Sequence, residues 1–157
     1  MGMGLGVRSA QRTKPTKIGS ESMKTYLAAR FSKRHEPHSL GKQLQELGHE
    51  KTSRWSLPDS DHVTPVGMSE QAADAERTRF ALEDIRDVMA ADCCISIMEE
   101  PRNNSRGGRH VEFGFALARG YRMIIVGPRE TVFHHLPQVE HFDTHVDLVA
   151  AMQKEAK

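Results

Sequence analysis

Glu112 sits in Gly108-Arg109-His110-Val111-Glu112-Phe113-Gly114, a carboxylate set between a glycine-rich loop and an apolar helical run. Upstream, a charged helical stretch carries Asp84, Asp87 and Asp92, and an apolar run from Cys93 to Met98 follows it. An acidic helix, a strand, a loop and a second helix opening on Glu can bring two carboxylates together at one end of a sheet. Two carboxylates at one site are what cleavage of a glycosidic bond requires. Early in a helix, Glu112 is expected to be held ionised by the helix dipole, and an ionised carboxylate is a usable nucleophile toward an anomeric carbon. Gly107, Gly108 and Gly114 would let a backbone or a ligand come close. Asp84 and Asp87 are three apart and share a helix face. Asp87 reads as solvated, with Arg86 and Arg77 as partners, which leaves Asp84 and Asp92 as the ligand candidates.

A second cluster is basic. Arg30, Ser32, Lys33 and Arg34 follow the first apolar run directly. Cationic and hydroxyl side chains beside a helix N-terminus suit a phosphate, and Ser105, Arg106 and Arg109 are placed to add to the same anion site. Neither loop is a P-loop, and no GxGxxG follows a strand, so ATP and a Rossmann dinucleotide are not indicated. Trp55, the single tryptophan, is a candidate to stack on a base, with a core or edge role as the alternative. Tyr26 and Phe31 are similar candidates beside the first loop. His134, His135, His141 and His145 lack the carboxylate or cysteine that would complete a ligand set, so no metal is expected, and surface or subunit contacts are their reading.

The elements that must position these groups follow from patterning. Strands are predicted at 24–29, 50–55, 93–98 and 122–126, with a short fifth near 140–142. Helices are predicted at 37–48, stopped by Gly48, at 69–91, capped by Ser69, at 110–119, stopped by Gly120, and at 144–155. Short apolar strands alternating with helices argue a parallel sheet covered on both faces. About five strands fit a flavodoxin-like, doubly wound order, in which ligands bind beyond the carboxyl ends of the strands. The loops 30–35 and 99–109 lie at that end.

With 157 residues, 38% apolar and 27% charged, the chain fits one globular domain with a sizeable core. Its net charge of +1 supplies no global field toward nucleic acid or membrane. No apolar run reaches the roughly 18 residues of a membrane span. Residues 1–22 hold four basic residues and one acid and lack the apolar stretch of a secretory signal. They are expected to be a disordered extension or an artificial leader, with the domain running from 23 to 157 and Met23 standing where an original start would. Cys93 and Cys94 are adjacent, point to opposite faces of a strand, and read as reduced core thiols of a cytoplasmic protein.

Three pieces together resemble the nucleoside 2-deoxyribosyltransferase superfamily, and in character its (deoxy)nucleoside 5′-monophosphate N-glycosidases. Tyr26-Leu27-Ala28-Ala29-Arg30-Phe31 is similar to the family's opening Tyr-Leu-Ala/Cys-Gly motif. Asp84 through Asp92 resembles its Asp, seven residues, Asp helix end. Gly108 to Gly114 resembles its Gly-x-x-x-Glu-x-Gly nucleophile motif. The likeness runs from Tyr26 to about Met152.

The resemblance implies a covalent glycosyl-enzyme. Glu112 would attack C1′, Asp84 would hold sugar hydroxyls or Glu112 itself, and Tyr26 would position Glu112. Asp92 would support the base side or the local structure. Ala28, Arg30, Phe31, Ser32, Arg34, Trp55, Ser96, Gly108, Arg109 and His110 complete the implied binding set. The resemblance implies no cofactor, a small-molecule nucleotide or nucleoside as substrate, and a homodimer or higher homo-oligomer. No membrane partner and no stable nucleic-acid partner is indicated.

One departure matters: Ala29 and Arg30 stand where many relatives have Gly then Ser or Pro. The added charge tilts the reading toward a 5′-monophosphate and hydrolysis, because plain nucleosides need no phosphate site. A base-exchanging deoxyribosyltransferase, a nucleotide-sensing module without turnover, and an NAD glycohydrolase on a similar frame are the alternatives.

Overall fold

The structure, a computed structural model, describes residues 22–62, 67–99 and 107–157. The leader expected at the N-terminus lies outside these residues up to position 21, as do Ser105 and Arg106. Five strands form one all-parallel sheet: β1 (Lys24–Ala28), β2 (Glu50–Lys51), β3 (Cys93–Ile97), β4 (Arg122–Val126) and β5 (Val139–Phe142). Their order is β2-β1-β3-β4-β5, the flavodoxin-like arrangement expected from the alternating pattern. Four helices connect and cover them: α1 (His35–Glu46), α2 (Glu70–Met89), α3 (Gly108–Ala118) and α4 (His145–Glu155).

Side-chain alternation divides the core in two. Tyr26, Ala28, Cys94, Met123 and Ile125 face one side, where Val88 of α2 and Phe113 and Ala116 of α3 pack on them. Leu27, Cys93, Ile95, Ile124 and Val126 face the other, against Leu40 and Leu44 of α1 and Leu148 and Met152 of α4. The neighbouring cysteines therefore belong to opposite cores, and both are free and buried. No helix among the described residues is long and apolar enough to cross a membrane.

The local signals explain the element ends. Ser69 caps α2, its side chain accepting the Ala72 amide at 3.2 Å. Gly107 precedes α3 with φ 80°, a left-handed turn that suits only glycine well. At Gly127 a Cβ would collide with the carbonyl oxygen of Met98, so glycine is what lets the chain leave β4 against the end of β3.

One strand departs from expectation. β2 stops at Lys51 and not at Trp55. Thr52 still donates its amide to the Thr25 carbonyl at 2.9 Å, but the Leu27 amide is taken by Ser53 Oγ at 3.2 Å and the Arg54 amide by Asp87 Oδ2 at 2.9 Å. Side chains replace the ladder, and the chain turns away from the sheet.

Candidate active site

At the carboxyl edge, the loops after β1 and β3 meet where the strand order reverses. Arg30 and Glu99, one from each loop, are 3.4 Å apart. Beneath this crevice, α3 starts from the Gly107 turn and brings Glu112 toward β1. The Tyr26 hydroxyl donates to Glu112 Oε1 at 2.8 Å, joining residues 86 apart in sequence. The phenol itself is fully buried.

Asp84, on α2, faces the same space. Its Oδ1 is buried and has no hydrogen-bond partner among the described residues. Such an unsatisfied acceptor is costly unless a ligand completes it.

Burial governs the charge state of this pair. It pushes the Glu112 carboxyl up to about 7, with the Asp84 charge adding to the rise and the Tyr26 hydrogen bond opposing it. Asp84 is likewise raised to about 7, by burial first and then by the Asp87 and Glu83 charges, against the pull of Arg54. Tyr26 is held well above the ordinary phenol range by burial and by both carboxylates, so it stays a donor.

The helix dipole expected to favour the ionised form of Glu112 is outweighed by burial. The residue lies past the first turn of α3, where the dipole fades, and desolvation wins. Burial thus holds both carboxyls well above the ordinary carboxylate range, and Glu112 also feels the Asp84 charge.

Asp92 is not in this group. Its Oδ1 accepts the Lys24 amide at 2.9 Å, at the amino edge where β1 begins. Eight residues of helix and turn separate it from Asp84, roughly 12 Å of rise, so it ties two strand starts together. Asp87 is also corrected. It is 6% exposed and not solvated, and it takes the Arg54 amide and Nε, each at 2.9 Å. Arg77 pairs instead with Glu70 and Asp74.

Trp55 is buried, its indole N–H given to the Leu27 carbonyl at 3.0 Å. Its ring is a wall of the core and not an open stacking face. Phe31, 6.3 Å from Trp55, is instead 40% exposed.

The basic loop folds as a 3-10 turn, Phe31–Lys33, leading into α1. Ser32 is exposed there. Arg34 lies over the Phe31 ring at 5.4 Å, and Lys33 pairs with Glu36. Ala28 and Ser96 are buried at neighbouring register positions near the carboxyl ends of β1 and β3.

Arg109 and His110 are engaged within the protein. Arg109 is buried, with Nη2 at 3.0 and 2.9 Å from the two oxygens of Glu130, and His110 Nε2 is 3.3 Å from Glu130. His134, expected at the surface, is buried against Phe113, its Nδ1 accepting the Glu130 amide at 3.1 Å. Burial holds its ring down at about 4, so it is neutral. Among the described residues no three His, Cys, Asp or Glu side chains converge as metal ligands. A Cβ at Gly108 or Gly114 would meet nothing within 4 Å, so neither glycine is demanded by a described neighbour.

Sequence patterning missed Arg54, Glu130 and His62. All three act across the fold, and no local spacing announces them.

No protein-family description matches the chain, and no curated protein matches it. The fold does match solved structures. Among them is a Clostridium botulinum CMP N-glycosidase, BcmB, with a TM-score of 0.53, 18% identity, and coverage of 83% of this chain and 98% of that one. At that identity the likeness concerns the fold, and its whole extent is reproduced here.

Proposed function

We propose that the protein is a hydrolase that cleaves the N-glycosidic bond of a nucleoside or deoxynucleoside 5′-monophosphate, releasing free base and sugar phosphate. The observation that carries this reading is the cluster of buried Tyr26 with half-buried Glu112 and Asp84, both carboxyls near 7 and one phenol donor between strand and helix. The solved neighbour that shares the fold is an N-glycosidase of CMP, which supports the same class of reaction.

In this reading the ionised Glu112 attacks C1′ as the C1′–N bond breaks, and the base leaves carrying a proton that comes from the hydrolytic water. Water then attacks C1′ of the glycosyl ester and restores Glu112. Asp84 holds sugar hydroxyls through the carboxylate oxygen that does not face His62. Tyr26 fixes the Glu112 rotamer and stabilises its anion. Phe31 covers the base, and Arg30 turns from Glu99 to the phosphate. Ser32 and Arg34 stand on the same loop.

The test is a panel of purine and pyrimidine nucleoside monophosphates, ribo and deoxyribo, followed by chromatography. Free base and sugar phosphate are expected from at least one member, with Glu112→Ala inactive. Added second base separates hydrolysis from transfer: new nucleoside without free sugar phosphate overturns the hydrolase. Nucleotide binding without turnover, unchanged by Glu112→Gln, would make the chain a sensing module. A homodimer is the assembly proposed with this reading, checked by light scattering.

A further inference from the structure

The chain after β2 delivers His62 against α2. Its ring stacks on Phe80, centroids 4.6 Å apart and 23° between planes, and its side chain is only 7% exposed. Ser60 Oγ lies 2.8 Å from Nδ1 and 3.4 Å from the His62 amide. With the hydroxyl oxygen accepting that amide, its own proton is directed at Nδ1. The neutral ring then carries its proton on Nε2. Nε2 stands 3.6 Å from Asp84 Oδ1 and 3.6 Å from Glu83 Oε2.

Nε2 and Asp84 Oδ1 are both buried, and neither has a hydrogen-bond partner among the described residues. A buried donor and a buried acceptor face each other just beyond bonding distance.

We infer that His62 is a positioning residue for Asp84: its Nε2–H closes onto Oδ1 when nucleotide fills the site, fixing the carboxylate and favouring its ionised form, while Ser60 sets the tautomer. This rests on the nucleotide-glycosidase reading for its ligand, though not for its geometry. Glu83, Asp61 and Asp87 favour a charged ring, while burial and Arg79 oppose it and hold the ring below its ordinary value. Asp84 is faced by Glu83 and Asp87 on α2 and by Arg54 from the chain after β2. Glu112 on α3 and Tyr26 on β1 are coupled to it. His62 supplies the missing neutral donor on the α2 side, as Tyr26 does for Glu112 on the β1 side.

The experiment compares the full chain with His62→Phe, which keeps the stack on Phe80 but removes both nitrogens, and with His62→Gln, whose amide can reach the Nε2 position. Ring nitrogen shifts by NMR should report an Nε2–H tautomer in the parent protein. The Asp84 carboxyl carbon should titrate about one pH unit higher in His62→Phe, a tenfold change, and return most of the way in His62→Gln. In turnover of the cleaved monophosphate, His62→Phe should lose at least about tenfold in kcat with KM within about threefold.

If His62→Phe fails to fold, Ser60→Ala leaves the ring in place and should populate the Nδ1–H tautomer and raise the Asp84 midpoint. An Nδ1–H parent ring, or an Asp84 titration unmoved by loss of the donor, overturns the inference even if nucleotide is cleaved. The expected titrations without any cleavage by the parent protein leave the dyad standing and overturn the glycosidase reading.

Discussion

Replacing Glu112 by Gln should make the protein more stable at pH 8. The side chain keeps its volume and can still accept from Tyr26, but it no longer has to ionise in a buried place. Raising a carboxyl from its ordinary 4.5 to about 7 is 2.5 pH units, a ceiling of about 3 kcal/mol at 1.36 kcal/mol per unit. The residue is only partly shielded by area, and its titration is shared with Asp84, so about 1–2 kcal/mol is the expected gain.

The sign follows from proton counting. Between roughly pH 4.5 and 7 the folded state binds more protons at this site than the unfolded state, so its contribution to stability falls as pH rises. The benefit of Glu112→Gln should therefore be near zero below about pH 4, grow from about pH 4.5 to 7, and level off above. Melting curves at each pH should show a gain of roughly 3–6 °C at pH 8. The difference between parent and variant cancels the titrating groups that Glu112 does not touch. A variant less stable at pH 8, or a difference independent of pH, would refute the claim that burial sets the charge of Glu112. Turnover should meanwhile fall by at least about a thousandfold, the trade of stability for function that an active site shows.

Tyr26→Phe removes the one contact that lowers the Glu112 pKa, so the rising limb of the pH–rate profile should move up by about half a unit or more, with kcat reduced about tenfold. Asp87→Asn removes a charge that raises Asp84; the Asp84 midpoint should fall, and weakening the Arg54 contacts should cost about 1–2 kcal/mol in urea unfolding. Asp92→Ala should cost about 1 kcal/mol through the lost Lys24 amide bond and leave turnover within about twofold, whereas a large loss of activity would put Asp92 back in the site. Arg30→Ala should lower kcat/KM for a monophosphate by about 10–100-fold, the worth of one charge-assisted bond, with little change for the matching nucleoside; equal losses on both would remove Arg30 from the phosphate site.

The frame was legible because its signals are local. The runs at β1, β3 and β4 are continuous and apolar, as strands buried on both faces must be, and Ser69, Gly48 and Gly120 mark helix ends by their own chemistry. Glu112 and Tyr26 were legible as candidates from residue type beside a predicted turn. What the pattern could not give was partnership across the fold. Asp87 looks like a solvated helical acid until Arg54 arrives from a chain segment more than thirty residues away. Trp55 looks like a free aromatic until its N–H meets the Leu27 carbonyl. The β2 strand ends early because Ser53 and Asp87 take amides that a longer ladder would have used.

The same reasoning separates Asp84 from Asp92, which spacing treats as equals. A helix that runs back toward the amino edge of a parallel sheet carries its last residues away from the ligand end. Only acids a turn or more before its close can reach the crevice. Asp92, the residue just before β3, therefore serves the sheet, and Asp84 keeps a buried oxygen unpaired. An unpaired acceptor beside a second carboxyl near 7 is a poor choice for stability alone. It is a suitable choice for an acid that a ligand or a neighbouring donor completes, which is why the proposed site lies at Asp84 and Glu112 and not at the more conspicuous basic and histidine-rich stretches.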